Sequence, residues 1–459
     1  MPTPEAAIAY AQKNQPQYLE DLKTLTRIPS VSTLSEHIDD MVRTAEWLAD
    51  KLRKCDFQSV EIEPTKRHPV VYGESLAGGP GAPTILVYGH YDVQPADPLE
   101  EWNTPPFEPT VIGENLYGRG TSDMKAQMVA FLEAVEAMVR TDGLPINLKI
   151  MVEGEEEIGS PNLRAFITEH SSLLASDFCL NTDSGIIAAD TPSLTYALRG
   201  LTYAEIRLQG TTSDLHSGRF GGAVDNPAIV ISRLIAGMRD ADGRITLPGF
   251  YDNVRPLSED ERREFAKLPT TDKWWKEHAG AKALFGEPGY TTTERAVARP
   301  TLDVNGLYSG FIGEGPKTVL PARAMAKLSM RLVPDQTPEG IFDLLEAYLK
   351  ANVPETMEWE MIRESSSPPG IIERDSKAVL AAGEALDAVW GMKPLFTREG
   401  GTIPVVGLIQ EVLGLDTLML GFGLPDDNIH APNEKQHLPT LYRGIETYIR
   451  FAHLIADQG

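Results

Sequence analysis

Cysteine is nearly absent. Cys55 and Cys179 are the two in 459 residues, too few for a disulfide framework and not spaced as a CxxC pair, so sulfur chemistry is excluded as a theme and two buried free thiols are expected. Basic charge is also in deficit. Against 66 Asp and Glu stand 42 Lys and Arg, a formal net charge of -24, which repels phosphate backbones and anionic lipid headgroups; no local run of Lys and Arg makes an exception. This argues against nucleic acid as a partner. Missing too is any uninterrupted apolar stretch near the roughly 18 to 20 residues that a membrane helix needs. The N-terminal stretch "MPTPEAAIAYAQKNQPQYLEDL" has neither the basic start nor the apolar core of a signal peptide. The expected location is therefore the cytoplasm, with no membrane partner. No internal repeat or low-complexity tract is present.

What the chain does have is length for roughly two to four domains and an ordinary apolar content, enough for a sizeable core. In the first 195 residues, apolar runs at 84–88, 148–152 and 178–180 alternate with helical patterns, which predicts a mostly parallel sheet with crossover helices. After Asp123, residues Met128, Phe131, Leu132, Val135, Met138 and Val139 recur at helical spacing and predict one apolar helix face. "GSPNLRAFITEH" reads as a helix start, with Ser160 as cap and Pro161 at the first helical position. Near residue 195 the character changes. "SLTYALRGLTYAEIRLQG" alternates as a half-exposed antiparallel strand pair would, and "ARAMAKLSMRLVP" and "TMEWEMIRES" read as further strands before "SSSPPG" breaks the pattern. "SKAVLAAGEALDAVWG" is again helical and "DTLMLGFG" a short buried strand. The expected architecture is α/β. A domain with a mostly parallel, helix-flanked sheet spans 1–195 and 371–459, and an α+β domain with an antiparallel sheet, 196–370, is inserted into it.

Ligands of open α/β sheets gather at the carboxyl ends of the strands. Polar residues of metal-ligand type occupy those ends here. His90 and Asp92 close the strand in "TILVYGHYD"; Glu153, Glu155, Glu156 and Glu157 follow "LKIMV"; Asp183 ends "FCLNTD"; Asp123 opens the long helix; His430 lies in the loop "DDNIHAPNEK". A lone strand-end histidine is ordinarily a hydrogen-bonded loop residue. Several carboxylates in one cleft repel one another and are costly to desolvate, a conflict that a divalent cation resolves. Imidazole with carboxylate suits zinc, with manganese or cobalt also compatible, and two ions fit better than one: Asp123, Glu157, Asp183 and one hydroxide balance two divalent charges. The neighbours Glu156 and Glu157 face different ways in extended chain, so one can bind metal while the other handles a proton. That division of labour is metal-assisted hydrolysis.

With "GHYDVQP", "YGRGTSDMK", "EGEEEIGS", "LHSG" and "HAPNEK" in this order, the chain resembles the dinuclear zinc peptidases that include carnosinase, cytosolic nonspecific dipeptidase, carboxypeptidase G and the aminoacylases. "GFYDNV", "KTVLP", "MRLVPDQ" and "REGGTIP" extend the likeness to the carnosinase and nonspecific dipeptidase branch. The resemblance implies that His90, Asp123 and Asp183 bind one metal, and Asp123, Glu157 and His430 the other, with Asp123 as bridge. It implies that Asp92 orients a ligand imidazole and that Glu156 is the general base. The inserted domain would act as lid and dimerisation module, with His216 of "DLHSG" reaching across a homodimer to stabilise the oxyanion. Arg331 would clamp the substrate carboxylate, and Thr318 and Thr402 would add hydrogen bonds. Thr402 stands where that branch carries Ser, and keeps the hydroxyl. "EGEEEIGS" offers several glutamates as base; spacing to Gly159 and Ser160 favours Glu156. Asp183 in the third-ligand position points to a dipeptidase or aminopeptidase, where deacylases and carboxypeptidases carry Glu. The leading expectation is a homodimeric dipeptidase acting on short peptides. Its alternatives are a metal-dependent deacylase of N-acyl amino acids and a catalytically inactive binding or assembly module.

Overall fold

The computed structural model describes residues 3–458. They divide into two compact units, one comprising residues 3–196, 371–397 and 408–458, the other Ala197–Gly370 with Arg398–Gly407.

The first unit is organised by a central sheet. Its strands are β1 (Ser59–Glu63), β2 (Val70–Ser75), β3 (Thr84–His90), β4 (Asn147–Glu153), β5 (Phe178–Asn181) and β6 (Thr417–Met419), in the spatial order β1-β2-β4-β3-β5-β6. From β4 to β6 neighbours run parallel; β1 and β2 form an antiparallel edge. Parallel strands covered on both faces read as continuous apolar runs, and β3 is buried at every position but Thr84. The register sets His90 opposite Glu153, so the carboxyl ends of β3 and β4 close at one level.

Helices α1 (Pro4–Thr26), α2 (Ile38–Lys54), α3 (Lys125–Val139), α4 (Lys377–Trp390) and α5 (Leu438–Asp457) cover this sheet. The single apolar face expected of α3 is too narrow: the helix is buried almost all round, packed by α1, α5 and β3. Its polar residues survive burial through distant partners. Lys51 of α2 lies 2.8 Å from Glu133, and Gln127 Oε1 accepts from the Phe422 amide at 2.8 Å.

Two further expectations are corrected. The helix after "GSPN" spans Leu163–Glu169 and begins two residues beyond Pro161. Ser160 does not cap it: with φ +50°, its hydroxyl turns back to donate to Glu153 at 2.8 Å. The strands at 193–209 do not pair with each other. Ser193–Leu198 is buried throughout and continues the central sheet beyond β6, while Gly200–Gln209 lies between Arg323–Leu332 and Glu358–Ser367 in another sheet. Arg199 alone separates them, too short a link for the two-residue turn of a hairpin.

The second unit is built on that four-stranded antiparallel sheet, in the order Thr301–Ser309, Arg323–Leu332, Gly200–Gln209, Glu358–Ser367. Strand 323–332 alternates buried and part-exposed positions. Its inward side chains pack beneath helices Pro227–Gly237 and Pro338–Asn352 in one apolar cluster. Both cysteines are free and buried, and burial pushes each thiol up to about 12. Among the described residues, no helix is long and apolar enough to cross a membrane.

Candidate metal centre

The carboxyl ends of β3, β4 and β5 and the loops beside them bring His90, Asp123, Glu157, Asp183 and His430 together in the first unit. His90 is the last residue of β3 and is 1% exposed. Its Nδ1 lies 3.1 Å from the Asp92 carbonyl; with that nitrogen donating, the lone pair sits on Nε2. Asp183 follows β5, its amide held at 2.8 Å by the Asn181 side chain. Gly421 permits the approach of the chain after β6, since a Cβ there would stand 2.5 Å from the Thr182 carbonyl and 2.3 Å from that of Ser184.

Asp123 occupies the middle. One carboxylate oxygen is 3.2 Å from His90 Nε2, and the other is 2.9 Å from His430 Nε2. Glu157 is 3.2 Å from the same His430 nitrogen, and Asp183 is 3.9 Å from His90 Nε2. Two triads result, His90 with Asp123 and Asp183, and Asp123 with Glu157 and His430; within each, the ligand atoms lie within 4.8 Å of one another. Nitrogen and oxygen donors without thiolate are the set that suits a catalytic rather than a purely structural zinc site.

The electrostatics favour a cation. Burial pushes Asp183 up to about 7, and the Asp123 charge adds to it. Burial also pushes Glu156 up to about 8, with repulsion from Asp183 and Glu157. For Asp123, burial acts upward, but the two imidazoles beside it, His430 and His90, outweigh it and hold the carboxyl below its ordinary range. The Asp123 and Glu157 carboxylates in turn draw His430 up to about 10. His90 Nε2 is buried yet makes no well-directed hydrogen bond. An orphaned imidazole nitrogen beside carboxylates that resist sharing their charge fits a metal ligand.

Asp92 does something more specific than steady an imidazole. Its carboxylate accepts from the amides of Glu156 at 3.2 Å and Glu157 at 3.1 Å, and lies 3.4 Å from His90 Nδ1. It therefore ties the short 3-10 turn Glu156–Ile158 to the end of β3. Two neighbouring acids stand apart from the triads. Glu153 accepts from Tyr88 and Ser160, each at 2.8 Å; Glu155 accepts from Thr65, the His68 amide and Asn162. Both are internal braces.

Sequence reasoning missed Gln94, whose amide donates to Glu157 at 2.7 Å, and Glu434, which is fully buried and holds the Asp123 loop. A polar loop residue reads the same whether solvated or enclosed. The only available signal was the position of Glu434 inside "HAPNEK", four residues after His430.

The second unit carries the remaining candidates in two places. Arg331 donates to the Thr402 hydroxyl at 2.8 Å, and that hydroxyl donates to the Arg199 carbonyl at 2.6 Å. His216 is exposed, pairs with Val319 across a two-residue ladder, and accepts from the Gly218 amide at 3.0 Å. Exposed Thr318 adjoins it through a 3.1 Å bond from the Ser217 amide to its carbonyl.

The model of peptidase family M20/M25/M40 matches residues 86–454. The Cys-Gly metallodipeptidase DUG1 of Candida albicans is 31% identical over 96% of this chain and 94% of its own. Human Beta-Ala-His dipeptidase is 29% identical over 97% of this chain and 92% of its own. Among solved structures, the M20 family metallo-carboxypeptidase Sso-CP2 from Sulfolobus solfataricus superposes with a TM-score of 0.82 at 34% identity, covering 96% of this chain and 99% of that one.

Proposed function

Since this chain belongs to peptidase family M20/M25/M40 and is a hydrolase acting on peptide bonds, we propose that it is a dinuclear metallodipeptidase cleaving short unblocked peptides. The carrying observation is the shared Asp123 carboxylate, with one oxygen toward His90 and the other toward His430. In this reading His90, Asp123 and Asp183 hold one divalent ion and Asp123, Glu157 and His430 the second, zinc first and manganese or cobalt as alternatives. Ions bound there supply Lewis-acid polarisation of the scissile carbonyl and a nucleophilic water at neutral pH. Glu156 takes the proton from the attacking water and returns it to the leaving amine. Asp92 keeps Glu156 and Glu157 in register through their amides.

Arg331 clamps the substrate carboxylate bidentately, as its planar fork allows, and Thr402 fixes that guanidinium. Thr318 adds a substrate hydrogen bond. His216, exposed on its ladder, stabilises the oxyanion in the active site of a second copy, so the working form is a homodimer. The location is cytoplasmic. Named relatives supply the substrate candidates, Cys-Gly and β-Ala-His. A second reading is a carboxypeptidase, favoured by the likeness to the metallo-carboxypeptidase Sso-CP2; activity on N-blocked or longer peptides separates it.

The test of the mechanism is Glu156→Gln. Turnover should fall by about 10²- to 10⁴-fold, the usual contribution of general acid-base catalysis, while two metal ions per chain remain bound. Turnover near the wild-type rate would remove Glu156 from the reaction.

A further inference from the structure

We propose that Glu434 is a positioning residue that sets the second metal site by locking the loop of Asp123 to the loop of His430. The inference rests on the dinuclear reading above. Its carboxylate is fully buried. One oxygen accepts from the amides of Ser122 at 2.9 Å and Asp123 at 3.0 Å. The other accepts from Arg119 Nη1 at 2.7 Å and the Gly120 amide at 2.9 Å. Four donors engage both oxygens, which leaves Glu434 no lone pair with which to ligate an ion. Its own carbonyl accepts from the Gly118 amide at 3.0 Å, so the clamp grips residues 118–123 along their length.

The receiving loop is shaped for this. Gly120 adopts φ +82°, and a Cβ there would stand 2.6 Å from Val93 Cγ1; a larger residue would lift the amide away from the carboxylate. A second strap runs alongside, from the Ser122 hydroxyl to Asp427 at 2.7 Å. Asp427 also accepts from the Leu424 amide at 2.7 Å. Glu434 and Asp427 thus bracket His430 in sequence and bind the same short loop.

The two metal triads depend on this clamp unequally. His90 and Asp183 issue from β3 and β5, whose pairing fixes them. Asp123 keeps a second anchor in the start of α3, where the Lys125 amide donates to the Gly120 carbonyl at 3.0 Å. His430 stands on no strand or helix, its side chain 53% exposed and its φ +60°. Its separation from Asp123 is therefore set by what joins the two loops, and Glu434 is the buried joint. Partners that orient metal ligands from outside the coordination sphere typically affect metal affinity by about 10- to 100-fold.

The experiment is zinc titration of the metal-stripped full-length protein against a competing chelator, for wild type, Glu434→Gln and Arg119→Lys. Wild type should bind two zinc ions. Glu434→Gln keeps the side-chain shape but turns an NH2 toward two donors. It should bind its first zinc with wild-type affinity and its second about 10- to 100-fold more weakly. Arg119→Lys retains the three amide contacts and should keep both ions. Equal loss at both sites in Glu434→Gln, no loss at either, or loss in Arg119→Lys as large as in Glu434→Gln would overturn the assignment. A wild type binding fewer than two ions would overturn the dinuclear reading and this inference with it. Should Glu434→Gln fail to fold, Asp427→Asn loosens the second strap and should weaken the second zinc alone by about threefold to tenfold; unchanged or uniformly weakened binding there counts against the clamp.

Discussion

Replacing Asp92 by Asn tests how the proton-handling glutamate is held. The carboxylate is fully buried and divides its oxygens between two amides, Glu156 at 3.2 Å and Glu157 at 3.1 Å. Asparagine preserves the volume but has one oxygen. Whichever way its amide is turned, an NH2 faces a backbone N–H, donor against donor. A hydrogen bond to a charged group contributes about 1.5 to 3 kcal/mol, and a buried donor left unsatisfied costs about 1 to 3 kcal/mol. Roughly 2.5 to 6 kcal/mol then opposes the present seating of the Glu156–Ile158 turn. The turn can relieve this by shifting, which moves Glu156 and Glu157 together. If about 1.4 to 2.7 kcal/mol of the strain reaches the transition state, kcat falls about 10- to 100-fold. Asp92 is fully buried with its carboxylate on two backbone amides, so KM should stay within about twofold. Steady-state kinetics on a dipeptide at saturating zinc, with metal content measured on the same sample, decide the matter. A kcat within about threefold of wild type, at unchanged zinc content, would refute this account of Asp92.

Three further outcomes are expected. In the metal-free protein, Glu156 and Asp183 sit above their unfolded values at about 8 and about 7, and His430 is raised to about 10. A raised carboxyl holds its proton longer folded than unfolded, so its stability contribution drops as pH climbs from the unfolded to the folded value. A raised histidine contributes fully below its unfolded value and loses that contribution as pH rises. The signs of these three agree: between about pH 4 and 10 the metal-free melting temperature should decline relative to that of the zinc-loaded protein, which parallel melts will check; a metal-free protein that gains on the zinc-loaded form over that window contradicts the assignment. Lys51→Met removes a buried ammonium lying 2.9 Å from Asp21, 2.8 Å from Glu133 and 2.6 Å from Glu136. Urea unfolding should show a loss of about 3 to 5 kcal/mol, largely recovered by adding Glu133→Leu. For His216, mixing inactive His216→Ala with inactive Glu156→Ala chains should restore part of the activity, and no recovery in verified heterodimers would place the histidine's action within its own subunit or outside the reaction.

The sequence was most informative where one physical pattern dominated. β3 could be read because seven residues, buried beyond the first, need an unbroken apolar run, and the cleft because ligand-type residues interrupt such runs at strand ends. It was least informative where long-range partners decide. The all-round burial of α3 depends on Lys51 meeting Glu133 from α2, which no local window contains. Alternation across 193–209 could not report that its halves enter different sheets, because that switch turns on a single residue, Arg199. Within "EGEEE", four glutamates look alike; only their partners separate Glu153 and Glu155, bound by Tyr88, Ser160, Thr65 and Asn162, from Glu157 beside His430. Arg331 and Thr402 are 71 residues apart in sequence and bonded at 2.8 Å, a pairing that spacing does not predict.

The most direct test of the central claim is hydrolysis of a small panel by metal-stripped protein resupplied with zinc or manganese: Cys-Gly, Ala-Ala and β-Ala-His beside N-acetyl amino acids and an N-blocked dipeptide. The account predicts no turnover without metal and restored cleavage of the free dipeptides. Undiminished hydrolysis by stripped protein, or metal-restored activity confined to the acylated or blocked substrates, would contradict it.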